Sequence, residues 1–296
     1  MKKNNDKKKA KVFFCDGRPS KRISRLKKEK KSFEVSTTNR TTKIKETDCV
    51  YIYGAGSGLR FNQLGLFKEL KKHVAEQIKD KQINVATKNY TDISYFKVSD
   101  RLVNMEAGEF IQNCLGFDVN MAYYKTAYNM GFIDRDFYEK CRYLDKDIRL
   151  KLIGSLATKK RMLVYKEGKA IDYSVKYDYV LRNVWFNIVD YVNNCLTEFA
   201  EMCKERFLFY WVDGIYLEGS AADYNDVLDF ISNKYKLEFK KEGIEKIVMQ
   251  IDESDSKYIA VYKTDMIGKV DENGKTKDNK PFYLKKERKV LYEITN

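Results

Sequence analysis

Phe209-Tyr210-Trp211-Val212-Asp213-Gly214-Ile215-Tyr216-Leu217 is the stretch that decides the fold. It reads as two apolar half-strands folded about an Asp-Gly turn, the strongest short-range hairpin signal. A second short apolar run, Gly116-Phe117-Asp118-Val119-Asn120-Met121-Ala122-Tyr123-Tyr124, also carries an Asp near its end. A lone Asp in such a place is ordinarily a turn former or helix cap. Two of them, each at the tip of its own strand, match the needs of a two-magnesium site for phosphoryl or nucleotidyl transfer. Hard carboxylate oxygens hold the metals, which clamp the attacking and leaving oxygens.

Composition bounds the alternatives. The 296 residues suffice for one large domain or two modest ones, and only two prolines interrupt them. No apolar run approaches 18 residues and no signal-peptide pattern is present, so a soluble, cytoplasmic protein without a membrane partner is expected. The cysteines at 15, 49, 114, 141, 195 and 203 show no Cys-x-x-Cys spacing and read as buried small hydrophobes. His73 is the only histidine, which argues against a zinc site or a Ser-His triad. Of the net charge of +14, residues 1–46 hold 17 Lys and Arg against five acids, leaving the rest near neutral. Such a head is expected to be a disordered arm that contacts phosphate backbones without reading sequence; a merely solubilising tail is the bland alternative.

Taken in order, Cys49–Tyr53 is strand-like and enters Gly54-Ala55-Gly56-Ser57-Gly58. That loop lacks both the Gly-Lys-Ser/Thr ending and the dinucleotide spacing, so a tight turn is the plainer reading. A helix follows with Leu66, Phe67, Leu70, Val74 and Ile78 on one face, then a short strand over Ile83–Ala86. Met105–Leu115 is expected as a helix capped by Asn104, residues 121–130 as another, and Phe132–Leu156 as a third. Arg149, Lys151, Lys159, Lys160 and Arg161 give that last stretch a cationic face, either simply solvated or a clamp for a triphosphate. Met162–Tyr165 and Ala170–Val175 form a hairpin. Val184–Lys204 is a core helix and Asp223–Tyr235 an amphipathic one. Leu237–Phe239, Glu245–Gln250 and Lys257–Tyr262 are strands, and Asn273-Gly274 marks a turn in a lysine-rich tail.

This order of strand-Asp, basic helix, long helix, Asp hairpin, helix and paired strands resembles the palm and fingers of family B DNA polymerases. The protein-primed branch of phages and linear plasmids is the nearest in kind. Asp118-Val119-Asn120-x-x-Tyr123 is similar to that branch's Asp-Val-Asn-Ser-Leu-Tyr-Pro, with Tyr124 in place of the proline. Gly154-Ser155-Leu156 stands where Asn-Ser-Leu belongs, with Ala157-Thr158 for Tyr-Gly. Tyr210-Trp211-Val212-Asp213 aligns with Tyr-x-Asp-Thr-Asp on its second Asp, so Trp211 replaces the first. Lys257-Tyr258 resembles the later Lys-x-Tyr element.

The resemblance implies an α+β fold: a polymerase-like palm of antiparallel sheet backed by helices, with a small helical fingers insertion. The implied layout is the arm over 1–46, a core over 47–265 with fingers at about 125–161, and a basic tail or thumb remnant over 266–296. It leaves no room for a proofreading exonuclease and little for a thumb. Asp118 and Asp213 would hold Mg²⁺ or Mn²⁺, with the Val119 carbonyl as an extra ligand. Tyr123 would lie under the sugar, while Arg149, Lys151 and Lys159 neutralise the triphosphate and Lys257 and Tyr258 place the primer. The implied partners are DNA (primer-template or single strand), deoxynucleoside triphosphates and a replication protein replacing the missing parts, in viral or mobile-element replication. A degenerate palm that binds nucleic acid or a replication complex without chemistry is the alternative, favoured by Trp211.

Overall fold

The computed structural model describes residues 10–15, 18–38, 41–54, 61–251, 256–266 and 285–293. In chain order these form β1 (Lys11–Cys15), α1 (Pro19–Lys28), β2 (Phe33–Thr37), β3 (Thr41–Lys45), β4 (Cys49–Gly54) and α2 (Phe61–Asp80). Then come β5 (Phe96–Val98), α3 (Asp100–Val103), β6 (Phe110–Gln112), β7 (Cys114–Val119), α4 (Ala122–Asn129), α5 (Arg135–Arg142) and α6 (Lys146–Gly154). The hairpin β8 (Lys160–Lys166) and β9 (Lys169–Lys176) leads to α7 (Tyr179–Cys203). Last are β10 (Phe207–Trp211), β11 (Gly214–Glu218), α8 (Asn225–Tyr235), β12 (Phe239–Ile251), β13 (Lys257–Met266) and β14 (Lys285–Glu293). The fold is mixed α+β with antiparallel sheets backed by helices. Two compact units divide it, residues 1–87 with 131–186 and residues 88–130 with 187–296, so the division falls within α7.

The first unit holds a six-stranded sheet in the order β1-β4-β3-β2-β8-β9, antiparallel apart from the β1–β4 pair. The described residues within 1–46 thus form three strands and a helix, where a disordered arm is expected. Charge dominates that stretch, yet its few apolar residues fall at strand and helix spacing. Leu26, Phe33, Val35 and Ile44 are buried with Tyr53 and with Tyr165 of β8. Pro19 opens α1, a position where its missing N–H costs no hydrogen bond. The expected hairpin at 166–169 is present, with Glu167-Gly168 as its two-residue turn and both residues at positive φ. In α2, Phe67, Leu70 and Val74 are buried, as their spacing predicts. Residues 83–86, expected as a strand, form no regular element. The helical stretch at 132–156 is broken into α5 and α6, and the Asp134 carboxylate caps α5 by accepting from the Phe137 N–H at 2.8 Å. His73 stacks on Phe137 at 4.9 Å and its Nε2 accepts from the Asp134 N–H, a structural role. Residues 55–60 of the glycine loop lie outside the described residues.

The second unit is built on an antiparallel sheet in the order β14-β13-β12-β7-β11-β10-β5, with β6 pairing β12 beside β7. One face packs on the second half of α7 and on α8. Leu115, Phe117 and Val119 of β7 and Ile215 and Leu217 of β11 meet Val192, Leu196 and Phe199 there. Residues 105–115 are not the expected helix. The short α3 precedes them, Asn104 caps its C-terminal end, and β6 then pairs with β12. The separate strands expected at 237–239 and 245–250 are one continuous β12, whose pairing with β7 extends through Gly243. Part of the expected tail, residues 285–293, is the strand β14 on β13, whereas Asn273-Gly274 lies outside the described residues. Among the described residues, no helix is long and apolar enough to cross a membrane.

Candidate active site

Successive side chains of a strand point to opposite faces. Since Leu115, Phe117 and Val119 are in the core under α7, Gly116 and Asp118 face the other way. Gly116 permits close packing there, because a Cβ would stand 3.0 Å from the ring of Tyr216. β11 brings up the second acid. Gly214 pairs directly with Asp118, and the Val119 N–H donates to the carbonyl of Asp213 at 2.9 Å. Asp118 and Asp213 thus sit on neighbouring strands, both half-buried.

The hairpin turns one residue earlier than an Asp-Gly turn would. Trp211 pairs with Gly214, so Val212 and Asp213 are the loop and Gly214 already belongs to the strand. Val212 has φ +59°, a left-handed conformation that a β-branched residue rarely adopts. Its N–H donates to the Tyr95 carbonyl at 2.8 Å, which helps hold it there. Strain of this kind costs about 1 to 3 kcal/mol and concentrates at functional sites.

Tyr123 completes the cluster. Met121, at φ +52°, turns the chain from β7 into α4, and Tyr123 lies in the first turn of that helix against the core. Its phenol is pushed well above the ordinary tyrosine range, first by burial and then by the charges of Asp213, Tyr95 and Asp118. The hydroxyl therefore stays protonated and senses both carboxylates.

Other expected residues lie elsewhere. Lys257 opens β13 opposite Ile251, and its amine donates to the Val103 carbonyl at 2.9 Å. Lys240 is the β12 partner of Asp118, so eleven residues of strand, roughly 35 Å at about 3.3 Å each, separate Ile251 from that level. Lys257 and Tyr258 are not at the carboxylates. Two cations that the sequence reading passed over share the sheet face of Asp118. Lys240 is exposed and shares its face with Asp118, as cross-strand partners do. Lys263 is held by Glu242 at 2.6 Å and lies 5.2 Å over the Tyr216 ring. No sequence signal marks Lys240, because Phe239-Lys240-Lys241-Glu242 is one apolar residue followed by three charged ones and so lacks the alternation of a strand.

Arg149, Lys151 and Lys159 belong to the first unit. The Arg149 guanidinium donates to the carbonyls of Arg142 and Leu144 and so closes the end of α5. Lys151 stands 4.0 Å from Asp147, and Lys159 is exposed in the link from α6 to β8.

No group of three or more His, Cys, Asp or Glu side chains that could hold a metal occurs among the described residues. The donor set is two carboxylates with the Val119 carbonyl as the expected third. Magnesium accepts so small a protein share, since water and substrate phosphates complete its octahedron. Where a third acid is expected stands Trp211, packed edge-on against Phe96 at 4.9 Å. Compared with known protein families and with characterised proteins, the chain matches no family model and no sequence.

Proposed function

We propose that this chain is a metal-dependent nucleotidyltransferase of the family B polymerase type. The observation that supports it best is the convergence of Asp118 and Asp213 on adjacent strands, with the hydroxyl of Tyr123 in the field of both. In this reading the two carboxylates hold Mg²⁺ or Mn²⁺, which supplies Lewis-acid stabilisation of the phosphoryl oxygens. Tyr123 lies under the deoxyribose of an incoming nucleoside triphosphate. Lys240, beside Asp118, offsets phosphate charge. DNA is the template and primer.

The test is primer extension with each nucleotide and each metal on the full chain. Activity in the wild type that Asp213→Asn abolishes is the expected result. No incorporation under any metal, with a folded protein, would remove the reading.

Trp211 supports a second reading, a palm that binds nucleic acid or a replication complex without chemistry. An indole in place of a carboxylate removes a metal ligand. Thermal melting with Mn²⁺ separates the two. A rise abolished by Asp213→Asn belongs to the enzyme, and no rise belongs to the degenerate palm.

A further inference from the structure

β9 forms one edge of the first unit's sheet, and among the described residues no strand pairs with its outer side. Exposed edges are ordinarily blunted by shortness, by proline, by a bulge or by charged side chains, lysine above all. β9 runs for eight residues without proline. The irregularity in its pairing lies toward the hairpin tip, between Val164 and Tyr165 of β8, so the stretch from Asp172 to Lys176 is regular.

That stretch divides between two faces. Tyr173 pairs with Leu163 and Val175 with Arg161, whereas Asp172, Ser174 and Lys176 pair with Val164, Met162 and Lys160. Tyr173 and Val175 therefore share one face, where Leu163 packs against the buried cluster, yet they stay 58% and 38% exposed. Asp172, Ser174 and Lys176 share the other face. Asp172 and Lys176 are exposed, and neither has an ion-pair partner among the described residues. Lys176 instead stands opposite Lys160, a like-charge contact that a carboxylate on its outer side would relieve.

The geometry points to the outer edge of β9 as a docking surface for a second copy of this chain. Let two β9 strands pair antiparallel about a two-fold axis through Ser174. Asp172 of each copy then stands opposite Lys176 of the other, and Tyr173 opposite Val175. With the axis at Tyr173 or Val175, Asp172 and Lys176 no longer meet. With the axis at Asp172 or Lys176, like charges stand face to face. The favoured register gives two opposite-charge pairs on one face and two aromatic–β-branched pairs on the other, the cross-strand contacts that stabilise sheets. Such an interface is isologous and closes with two copies. The sheet's other edge, β1, reads Lys11-Val12-Phe13-Phe14-Cys15 and offers Lys176 no acid.

The experiment is sedimentation velocity of the full chain over a range of concentrations. It uses neither metal nor nucleotide, so its outcome is independent of the carboxylates in the second unit. The wild type should pass from monomer to dimer. Asp172→Lys and Lys176→Asp each turn two attractive pairs into repulsive ones, and each should raise the dissociation constant about tenfold or more. The double variant with both exchanges rebuilds the pairs with their signs reversed and should return to the wild-type value. Lys176→Asp also relieves the contact with Lys160. It should therefore melt no lower than wild type while dimerising less, which a merely destabilising change would not do. A wild type that stays monomeric to about 0.1 mM would overturn the proposal. Single variants that dimerise as wild type does, or a double variant no tighter than the single ones, would overturn it equally. So would growth beyond the dimer, which belongs to an open-ended pairing of β9 with β1.

Discussion

Under the proposed function, Tyr123 is the residue on which substrate choice turns. Half-buried against the core and in the field of two carboxylates, its ring has little freedom to move aside. A 2′-hydroxyl placed against it would lack a partner, a cost of about 1 to 3 kcal/mol before any clash. Under the proposed function, Tyr123→Ala should raise ribonucleotide incorporation relative to deoxynucleotide incorporation by about tenfold or more. The ratio in wild type and variant measures this, and an equal ratio in a folded variant would remove the sugar gate. Val212 makes a prediction free of any function. Glycine adopts φ +59° without steric cost, so Val212→Gly should stabilise the fold by about 1 kcal/mol, read as a higher urea midpoint. A lower midpoint would show that the valine side chain contributes more in packing than its backbone loses. The two aspartates were legible because each closed an apolar run. The turn was misread by one residue because the pairing of Gly214 with Asp118 is a tertiary fact.

At the scale of elements, the long helix α7 and the paired strands were readable from periodicity, which reports burial on one face. Elements defined by a distant partner were not. β6 reads as part of a helix until β12 pairs with it, and β2 reads as an arm until β8 does. Thiols buried on the two faces of the second unit's sheet also set an alkaline limit on stability. Cys195 and Cys203 on α7 and Cys114 on β7 have thiols pushed up to about 12 by burial. Unfolded thiols titrate at about 8.5. Below that pH both states hold their protons and stability is whole. From there to about pH 12 the unfolded chain releases protons that the folded one keeps, so stability falls. The urea midpoint should drop over this window, and Cys195→Ala should make the drop shallower. An identical profile for that variant would exclude the thiol as a contributor.

At the scale of the whole molecule, both units are discontinuous in sequence, and the chain passes between them at residues 87, 130 and 186. The six-stranded sheet illustrates the cost. β2 has β3 on one side, but its other neighbour is β8, in the register Phe33 with Tyr165 through Thr37 with Arg161. A chain ending at residue 159 should therefore present an open strand edge and self-associate, whereas one ending at residue 178 should do so less. Light scattering compares the two, which share every other defect, and equal association would sink the idea. In the cell the same order sets a clock. The ribosome must add about 120 residues after Thr37 before β8 exists, roughly 6 to 25 s at about 5 to 20 residues per second. Throughout that interval the nascent sheet carries an unsatisfied edge. Like-charge repulsion among the lysines of the first 46 residues should keep neighbouring nascent chains apart until the missing strand arrives.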